Sequence, residues 1–271
     1  MSIALSFAAV LAPTAAAEPA GSVMAALLTT DAAVESGRFR GTLNERGFIK
    51  KRRVISANTV NAAFNLRRPR DMRIDQSLTI GYGDISLRTV AIKKKIYARS
   101  AGANYFWPVA NAEWRRMFSH RRNRPLAEIA AAALAVLGDW REEAPAVSDG
   151  VPVRVYSAST DFAALGNGLL QRFDQILMDG FFSLVLSDPE RWKDAEPAGP
   201  ERPRVSFGVD DANILRTLAI DAPSRLTTQG YEITGGFELI DVNENVTIRR
   251  LARARRLTAK NAAKFWAGLG I

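Results

Sequence analysis

The sequence predicts an α+β fold that is predominantly α-helical, with one or two β-hairpins, two subdomains on either side of a groove, and extended terminal arms. Three observations lead to this expectation. Apolar residues recur at helical spacing in several segments. Turn-forming residues separate two β-rich stretches near residue 82. Positive charge is concentrated in two parts of the chain rather than spread along it.

The first elements are short. Residues 22–36 are predicted to form a helix because Met24 and two leucines share one side. Residues 47–56 have apolar ends around a charged centre and indicate a strand or an exposed arm. Residues 58–66 fit a short helix that is capped by Asn58 and ended before Pro69.

A hairpin and a helix follow. Residues 74–97 contain Gly81-Tyr82-Gly83-Asp84 between β-rich flanks, which favours a hairpin, although the second arm could instead be a helix. The clearest helix begins at Pro125 and extends to Leu137, where Gly138 provides a C-terminal stop.

The second half begins with a linker. Residues 142–150 are acidic and turn-rich, residues 151–156 alternate as a strand, and residues 160–186 have the apolar spacing of a long helix. The glycines in this last segment weaken the helix and could divide it into two. Residues 194–203 are rich in proline and are expected to form a loop.

Four elements complete the chain. Asp210 or Asp211 can cap a helix through Leu218, and residues 231–242 give strand signals. Residues 245–257 are predicted to be a helix that gathers four arginines on one side, and a final helix over 258–268 follows.

Charge is strongly segregated. The net charge is +9, but residues 37–125 carry +16, residues 126–246 carry −11, and residues 247–271 carry +7 without an acid. We therefore predict four parts: an apolar N-terminal arm or helix (1–36), a basic nucleic-acid-binding subdomain (37–140), an acidic core subdomain (141–246) and a basic C-terminal arm (247–271).

The basic clusters predict a groove that binds nucleic acid, because neutralised phosphates release counterions and give affinity without base recognition. Any single cluster would be better explained as a solvated face, but several occur with few intervening acids. A basic amphipathic helix on an anionic membrane is the lesser alternative. The predicted contact residues are Lys50, Lys51, Arg52, Arg53, Arg67, Arg68, Arg70, Arg73, Arg88, Lys93, Lys94, Lys95, Arg99, Arg115, Arg116, Arg121, Arg122, Arg124, Arg249, Arg250, Arg253 and Arg256.

The sequence contains few residues or motifs that are typical of an enzyme active site. The chain has no cysteine and one histidine, His120, which lies among arginines. Gly81-Tyr82-Gly83 lacks the third glycine of a dinucleotide loop. The acid pairs Glu142-Glu143 and Asp210-Asp211 are better explained as caps or solvated ends than as magnesium ligands. We expect no catalytic residue, no metal, no cofactor and no enzymatic activity.

The ends of the chain suggest assembly. Residues 2–20 are small and apolar but lack the basic start of a signal peptide, so an arm that packs on a neighbouring subunit is favoured over a targeting segment. No membrane span is expected. At the other end, Phe265, Trp266, Leu269 and Ile271 are predicted to anchor in a neighbouring subunit, with packing on the chain's own core as the alternative.

Residues 264–271 (KFWAGLGI) resemble the C-terminal helical arm of nucleocapsid proteins from segmented negative-strand RNA viruses, and Leu78-Thr79-Ile80 is similar to their mid-chain segment. The resemblance implies a polymerising subunit that coats single-stranded RNA without sequence preference, located in a virion or the host cytoplasm. The composition would equally suit the coat of a filamentous or fungal RNA virus. Two alternatives remain: a backbone subunit of a prokaryotic guide-RNA (CRISPR) effector complex, or a phage head or tail structural protein. If the protein is not viral, we expect it to be cytoplasmic.

Overall fold

The computed structural model describes residues 19–49, 52–66, 71–80, 83–100, 102–111, 126–161, 164–165, 202–222 and 231–268. Within these ranges there are three helices: α1 (Pro19–Ala33), α2 (Leu126–Leu134) and α3 (Ala259–Ala267). The strands are β1 (Ser36–Ile49), β2 (Arg52–Asn65), β3 (Asp71–Ile80), β4 (Gly83–Ile92), β5 (Lys95–Ser100), β6 (Ala103–Pro108), β7 (Gly138–Glu142), β8 (Ala146–Ser148), β9 (Val151–Ser159), β10 (Arg204–Asp210), β11 (Leu215–Ala222), β12 (Tyr231–Ile240) and β13 (Arg255–Arg256).

All of these strands belong to one sheet. Its order is β13-β6-β5-β4-β3-β2-β1-β12-β11-β10-β9-β7, and β8 also pairs with β9. Neighbouring strands are antiparallel except β13, which is parallel to β6. Strands from both the predicted basic and acidic parts therefore share the sheet, because β1 pairs with β12. The division of the chain into four parts stays a prediction.

Alternation along the strands gives the sheet two unlike faces. In β1 the odd-numbered residues from 39 to 47 are buried and the even-numbered residues from 38 to 46 are exposed. We call the face that carries Phe39 the inner face and the opposite one the outer face. The inner face packs against α1 and α2 around Leu27 and Phe207, neither of which is exposed to solvent. Burial of this apolar surface holds the helices on the sheet.

The C-terminal strap (residues 243–258) passes around one edge of the sheet. Val246 and Ile248 pack on the outer face with Val90 and Tyr97. The strap then pairs with edge strand β6 as β13. Helix α3 follows on the inner side, where Phe265 packs with Ala98 and Tyr105. Tyr97, which contacts the strap, and Ala98, which contacts α3, are adjacent in β5 and therefore point to opposite faces. The strap must therefore pass from the outer face to the inner face before α3 begins.

The structure corrects the predicted fold class. The protein is not predominantly helical, since strands outnumber helices in the described residues. Residues 58–65 belong to β2, and residues 210–218 form the end of β10, the turn and the first part of β11. Residues 245–257 are not helical and contain β13. In each case packing on the sheet overrides a local helical pattern.

Several local predictions are confirmed. Helix α1 overlaps the predicted range 22–36, and α2 and α3 lie within 125–137 and 258–268. The hairpin near residue 82 is formed by β3 and β4, and strands occur over 151–156 and 231–240. Within the predicted linker over 142–150, residues 146–148 form β8. The apolar segment 160–186 lies almost entirely outside the described residues, as does the N-terminal segment 2–18.

Candidate functional site

Three buried polar side chains lie together on the inner face. Glu45 on β1 stands directly opposite Ser56 on β2, and Asn58 lies two residues further along β2. Only 2% of Glu45, 8% of Ser56 and 2% of Asn58 is exposed. The Ser56 hydroxyl donates a hydrogen bond of 2.7 Å to a Glu45 carboxylate oxygen. We call these three residues the inner polar cluster.

The inner polar cluster is enclosed by apolar neighbours. Leu43, Val60 and Ile233 belong to the same face, and each is at most 1% exposed. Burying a carboxyl group or an amide in such surroundings costs free energy unless hydrogen bonds replace those of water. Polar groups retained among apolar ones are characteristic of a binding site that orients one end of an apolar ligand.

The sheet continues beyond β2 through two further strands. Asn58 pairs with Leu78 on β3, and Leu78 pairs with Ile85 on β4. Across β1 to β4 the inner face is roughly 14 Å wide, given about 4.8 Å between strands.

The described helices contact the two ends of this face. Helix α1 packs against α2 and against β7, β10 and β11. Helix α3 lies near β5 and β6 through Phe265. The inner polar cluster on β1 and β2 therefore lies between α1 and α3 in the strand order.

The outer face carries a groove of about 480 Å³ over β2, β1, β12 and β11, and its lining includes Arg40 and Glu238. Arg40 donates to Glu238 at 2.6 Å across β1 and β12, and the Ser148 hydroxyl donates to the other Glu238 oxygen at 2.6 Å. Burial would raise the pKa of Glu238, but the hydrogen bonds from Arg40 and Ser148 and the charge of Arg40 together outweigh it and lower this pKa. The same contact raises the pKa of Arg40.

A lowered carboxyl pKa has a consequence for stability. The ionised Glu238 contributes stability above its ordinary pKa, and this contribution is lost as the pH falls through the lowered value. We expect Glu238→Gln to weaken the loss of thermal stability in acid, by a small amount because Arg40 is largely exposed. Melting temperatures between neutral and acidic pH would measure this. Glu232→Gln on the same strand is the control, and an equal change in both variants would contradict the assignment.

A second groove, of about 450 Å³, lies on the outer face at the β7 end of the sheet. Its lining mixes charges of both signs: Asp139, Arg141, Arg202, Arg204 and Asp221. Arg202 lies 4.0 Å from Asp139, and both side chains are more than half exposed. The two aspartates offset most of the charge of the three arginines, so the groove is a weak candidate for an anion site.

Only part of the predicted nucleic-acid site is described. Ten of the predicted contact residues lie in 50–51, 67–70 and 112–125, outside the described residues: Lys50, Lys51, Arg67, Arg68, Arg70, Arg115, Arg116, Arg121, Arg122 and Arg124. Arg52 and Arg53 begin β2, at the opposite end of that strand from the strap contact at Asn65. The remaining predicted residues lie on β3, β4 and β5, in the β4–β5 turn or in the C-terminal strap: Arg73, Arg88, Lys93, Lys94, Lys95, Arg99, Arg249, Arg250, Arg253 and Arg256.

The predicted oligomerisation anchor is used within the chain. Phe265 is 2% exposed and packs edge-on against Tyr105, with ring centroids 5.4 Å apart. The Ser100 hydroxyl donates a 2.5 Å hydrogen bond to the Phe265 carbonyl oxygen. This is the alternative arrangement, packing on the chain's own core. Trp266 is 48% exposed, and Leu269 and Ile271 lie outside the described residues.

Sequence reasoning missed the inner polar cluster and three cations next to the strap arginines. Glu45, Ser56 and Asn58 alternate with exposed residues, so the period-2 pattern of the two strands was the available signal. Arg255, Lys260 and Lys264 were passed over, although all three are exposed.

Within the described part of the chain, no group of three or more acidic or histidine side chains could hold a metal ion. None of the described helices is long and apolar enough to cross a membrane.

Comparison with known proteins gives structural likenesses only. No family model matches the sequence, and no curated protein matches it. LprF from Mycobacterium bovis aligns with a TM-score of 0.49 at 13% identity, over 86% of this chain and 96% of that one. Lipoprotein LppX from Mycobacterium tuberculosis aligns with a TM-score of 0.43 at 8% identity, over 85% and 98%. MucB from the Pseudomonas aeruginosa MucA/MucB complex aligns with a TM-score of 0.32 at 13% identity, over 84% and 58%.

The expectation of an RNA-coating protein is wrong. Helical subdomains on either side of a groove are replaced by one sheet, and the C-terminal segment that resembles a nucleocapsid arm packs on its own sheet. The solved structures reported above are LprF, lipoprotein LppX and MucB, and none of these three is a nucleocapsid protein. The guide-RNA and phage alternatives, the RNA partner and the virion location, which depend on the same expected architecture, are corrected with it.

Proposed function

We propose that this protein is a non-catalytic carrier that holds a largely apolar ligand on the inner face of its sheet, with the polar end of the ligand at the inner polar cluster. The observation that carries the proposal is the burial of Glu45, Ser56 and Asn58 within an otherwise apolar face. A few polar groups among many apolar ones are the pattern of sites for amphipathic small molecules. We keep a cytoplasmic location, which suits a chain without cysteine, as part of this proposal.

The dimensions of the face support a chain-like ligand. Strands β1 and β2 have 14 residues each, which corresponds to roughly 46 Å at about 3.3 Å per residue. An extended hydrocarbon chain can follow such a strand while apolar contacts replace its water, at about 0.8 kcal/mol per buried CH₂ group. The carboxyl group of Glu45 would favour a neutral or amine-bearing polar end over a fatty-acid carboxylate, because like charges repel in an apolar environment.

Adjacent residues on opposite faces of β2 allow a matched test of the inner-face site. Val60 is fully buried on the inner face, whereas Thr59 is exposed on the outer face. We expect Val60→Trp to weaken binding of a fluorescent monoacylglycerol by about tenfold or more, since overpacking costs about 1–3 kcal/mol. Thr59→Trp should leave the affinity unchanged. Circular dichroism and melting curves would establish that both variants fold.

A second variant keeps the test informative if Val60→Trp does not fold. Glu45→Gln preserves size and hydrogen bonding to Ser56, and should remove the preference for the fluorescent monoacylglycerol over a fluorescent fatty acid. Absence of binding to either probe by the unmodified protein would overturn the proposal. Equal binding by the Thr59 and Val60 variants, both folded, would also overturn it.

A further inference from the structure

The edge of the sheet at β6 is surrounded by positive charge. The strap and α3 carry seven exposed cations: Arg249, Arg250, Arg253, Arg255, Arg256, Lys260 and Lys264. Glu244 is the last acid before them, and none of the seven makes an ion pair within the described residues. Uncompensated cations on one edge generate a positive potential that attracts an anionic surface.

The lysines of the β4–β5 turn extend this charge. Lys93, Lys94 and Lys95 are exposed. The Lys95 ammonium lies 5.2 Å from the ring centre of Phe106, and Phe106 is the β6 residue that pairs with Arg256 of the strap. The turn and the strap therefore meet at β6 and form one basic surface, which we call the basic edge.

An exposed tryptophan accompanies the basic edge. Trp266 on α3 is 48% exposed, and its ring lies 4.9 Å from that of the buried Phe265, which fixes its position. Trp266 also stands within two residues of Lys264 in the same helix. Tryptophan has an apolar body and a polar N–H group, which suits the boundary between lipid headgroups and acyl chains.

The shape of the basic edge distinguishes between anionic partners. The cations follow the strap from the outer face around β6 to the inner side, so they lie on a projecting edge. Neither of the two described grooves is lined by a strap residue. A projecting basic edge with an exposed tryptophan fits a broad, flat anionic surface, whereas a single nucleic-acid strand is usually held in a basic groove with stacking platforms.

We propose that the basic edge docks this protein on an anionic lipid bilayer, with Trp266 in the headgroup region and the strap arginines against the lipid phosphates. The contact is reversible and electrostatic, because each cation near such a surface contributes about fivefold to the partition coefficient. Docking at this edge brings α3, which lies at one end of the inner face, next to the bilayer. The proposal rests on the basic edge alone and holds whether or not the inner face carries a ligand.

Vesicle cosedimentation with the full chain tests the proposal. Vesicles of phosphatidylcholine with phosphatidylglycerol should bind the protein, vesicles of phosphatidylcholine alone should not, and added salt should release it. The combined variant Arg249→Gln, Arg250→Gln, Arg255→Gln should lower partitioning on the order of a hundredfold. The combined variant Arg46→Gln, Arg141→Gln, Arg202→Gln removes the same charge from exposed positions elsewhere and should lower it much less.

Three outcomes would overturn the proposal. They are equal binding to both kinds of vesicle, an equal loss in the two triple variants, and displacement of the vesicles by single-stranded RNA at a lower concentration than that of the lipid phosphate. Trp266→Phe provides a separate measurement. The blue shift of tryptophan emission on vesicle binding should be smaller in this variant than in the unmodified protein, because the proposal places the Trp266 ring in the headgroup region.

Discussion

Replacing Asp210 by alanine should destabilise the protein by about 3–5 kcal/mol, because a buried charge loses its partner. Asp210 is 3% exposed at the end of β10. Its carboxylate accepts hydrogen bonds from the Ile214 backbone N–H at 2.8 Å and from the Arg216 guanidinium at 2.7 Å. The Arg216 side chain is itself only 15% exposed, so it would remain largely buried without a counter-ion.

The neighbouring acid provides the control for this measurement. Asp211 is exposed in the turn between β10 and β11, and Asp211→Ala should change the free energy of unfolding by less than about 0.5 kcal/mol. Denaturant unfolding of the two variants would measure the difference. The hairpin is also joined to α1, since Leu215 donates its backbone N–H to the Thr30 hydroxyl at 2.8 Å. Equal stability of the two variants would mean that Asp210 is not the residue that holds the hairpin.

Phe265→Ala should also have a large effect, about 3–5 kcal/mol if α3 unfolds together with the sheet. Phe265 is the only α3 residue that is buried, and its ring contacts Tyr105 and Trp107 with centroids 5.4 and 6.1 Å away. Because one side chain anchors the helix, its removal should release α3 from the inner side. Hydrogen exchange over 255–267 should accelerate, together with a lower unfolding midpoint.

Trp266→Ala is the control for Phe265→Ala, because it removes an exposed aromatic side chain from the same helix. Trp266 is 48% exposed, and its loss should cost well under half as much as the loss of Phe265. A faster exchange in α3 for Trp266→Ala than for Phe265→Ala would contradict the anchoring role. If the midpoint is unchanged in Phe265→Ala while α3 exchanges rapidly, the helix opens independently of the sheet.

Local signals in the sequence predicted several elements correctly. The β3–β4 hairpin follows from turn residues between β-rich flanks, and α2 follows from Pro125, an apolar face and Gly138. These signals act within a few residues, so no distant contact was needed to identify them. Thr258 was also expected at the start of the last helix, and it forms a capping box with Asn261.

The β2 strand shows why the fold class was wrong. Its buried positions alternate, but they include Ser56, Asn58 and Ala62 as well as Val60 and Phe64. Polar and small residues at buried positions conceal the period of two on which a strand prediction depends. Ser56 and Asn58, which stand at buried positions of β2, also belong to the inner polar cluster. The residues that form the candidate site are therefore the ones that led to the wrong prediction for this strand.

The strap was misassigned for a different reason. Its arginines recur at helical spacing, but Val246 and Ile248 alternate and pack on Val90 and Tyr97. The contact joins residues about 150 positions apart in the sequence, which no local pattern can reveal. Asn65 and Asn104 also hold the strap through side-chain hydrogen bonds to the carbonyl oxygens of Val246 and Ala252.

The strand order has a consequence for how the chain reaches this structure. Strands β1 to β6 pair with their immediate neighbours in sequence, and so do β9 to β12 among themselves. Among the described strands, only the seam between β1 and β12 joins the two halves in the middle of the sheet, where residues 38–47 pair with residues 231–240. Closing a loop of nearly two hundred residues is slow compared with forming hairpins. Each half can therefore form its hairpins early, while β1 keeps an open edge on the ribosome until the segment that completes the seam has been synthesised.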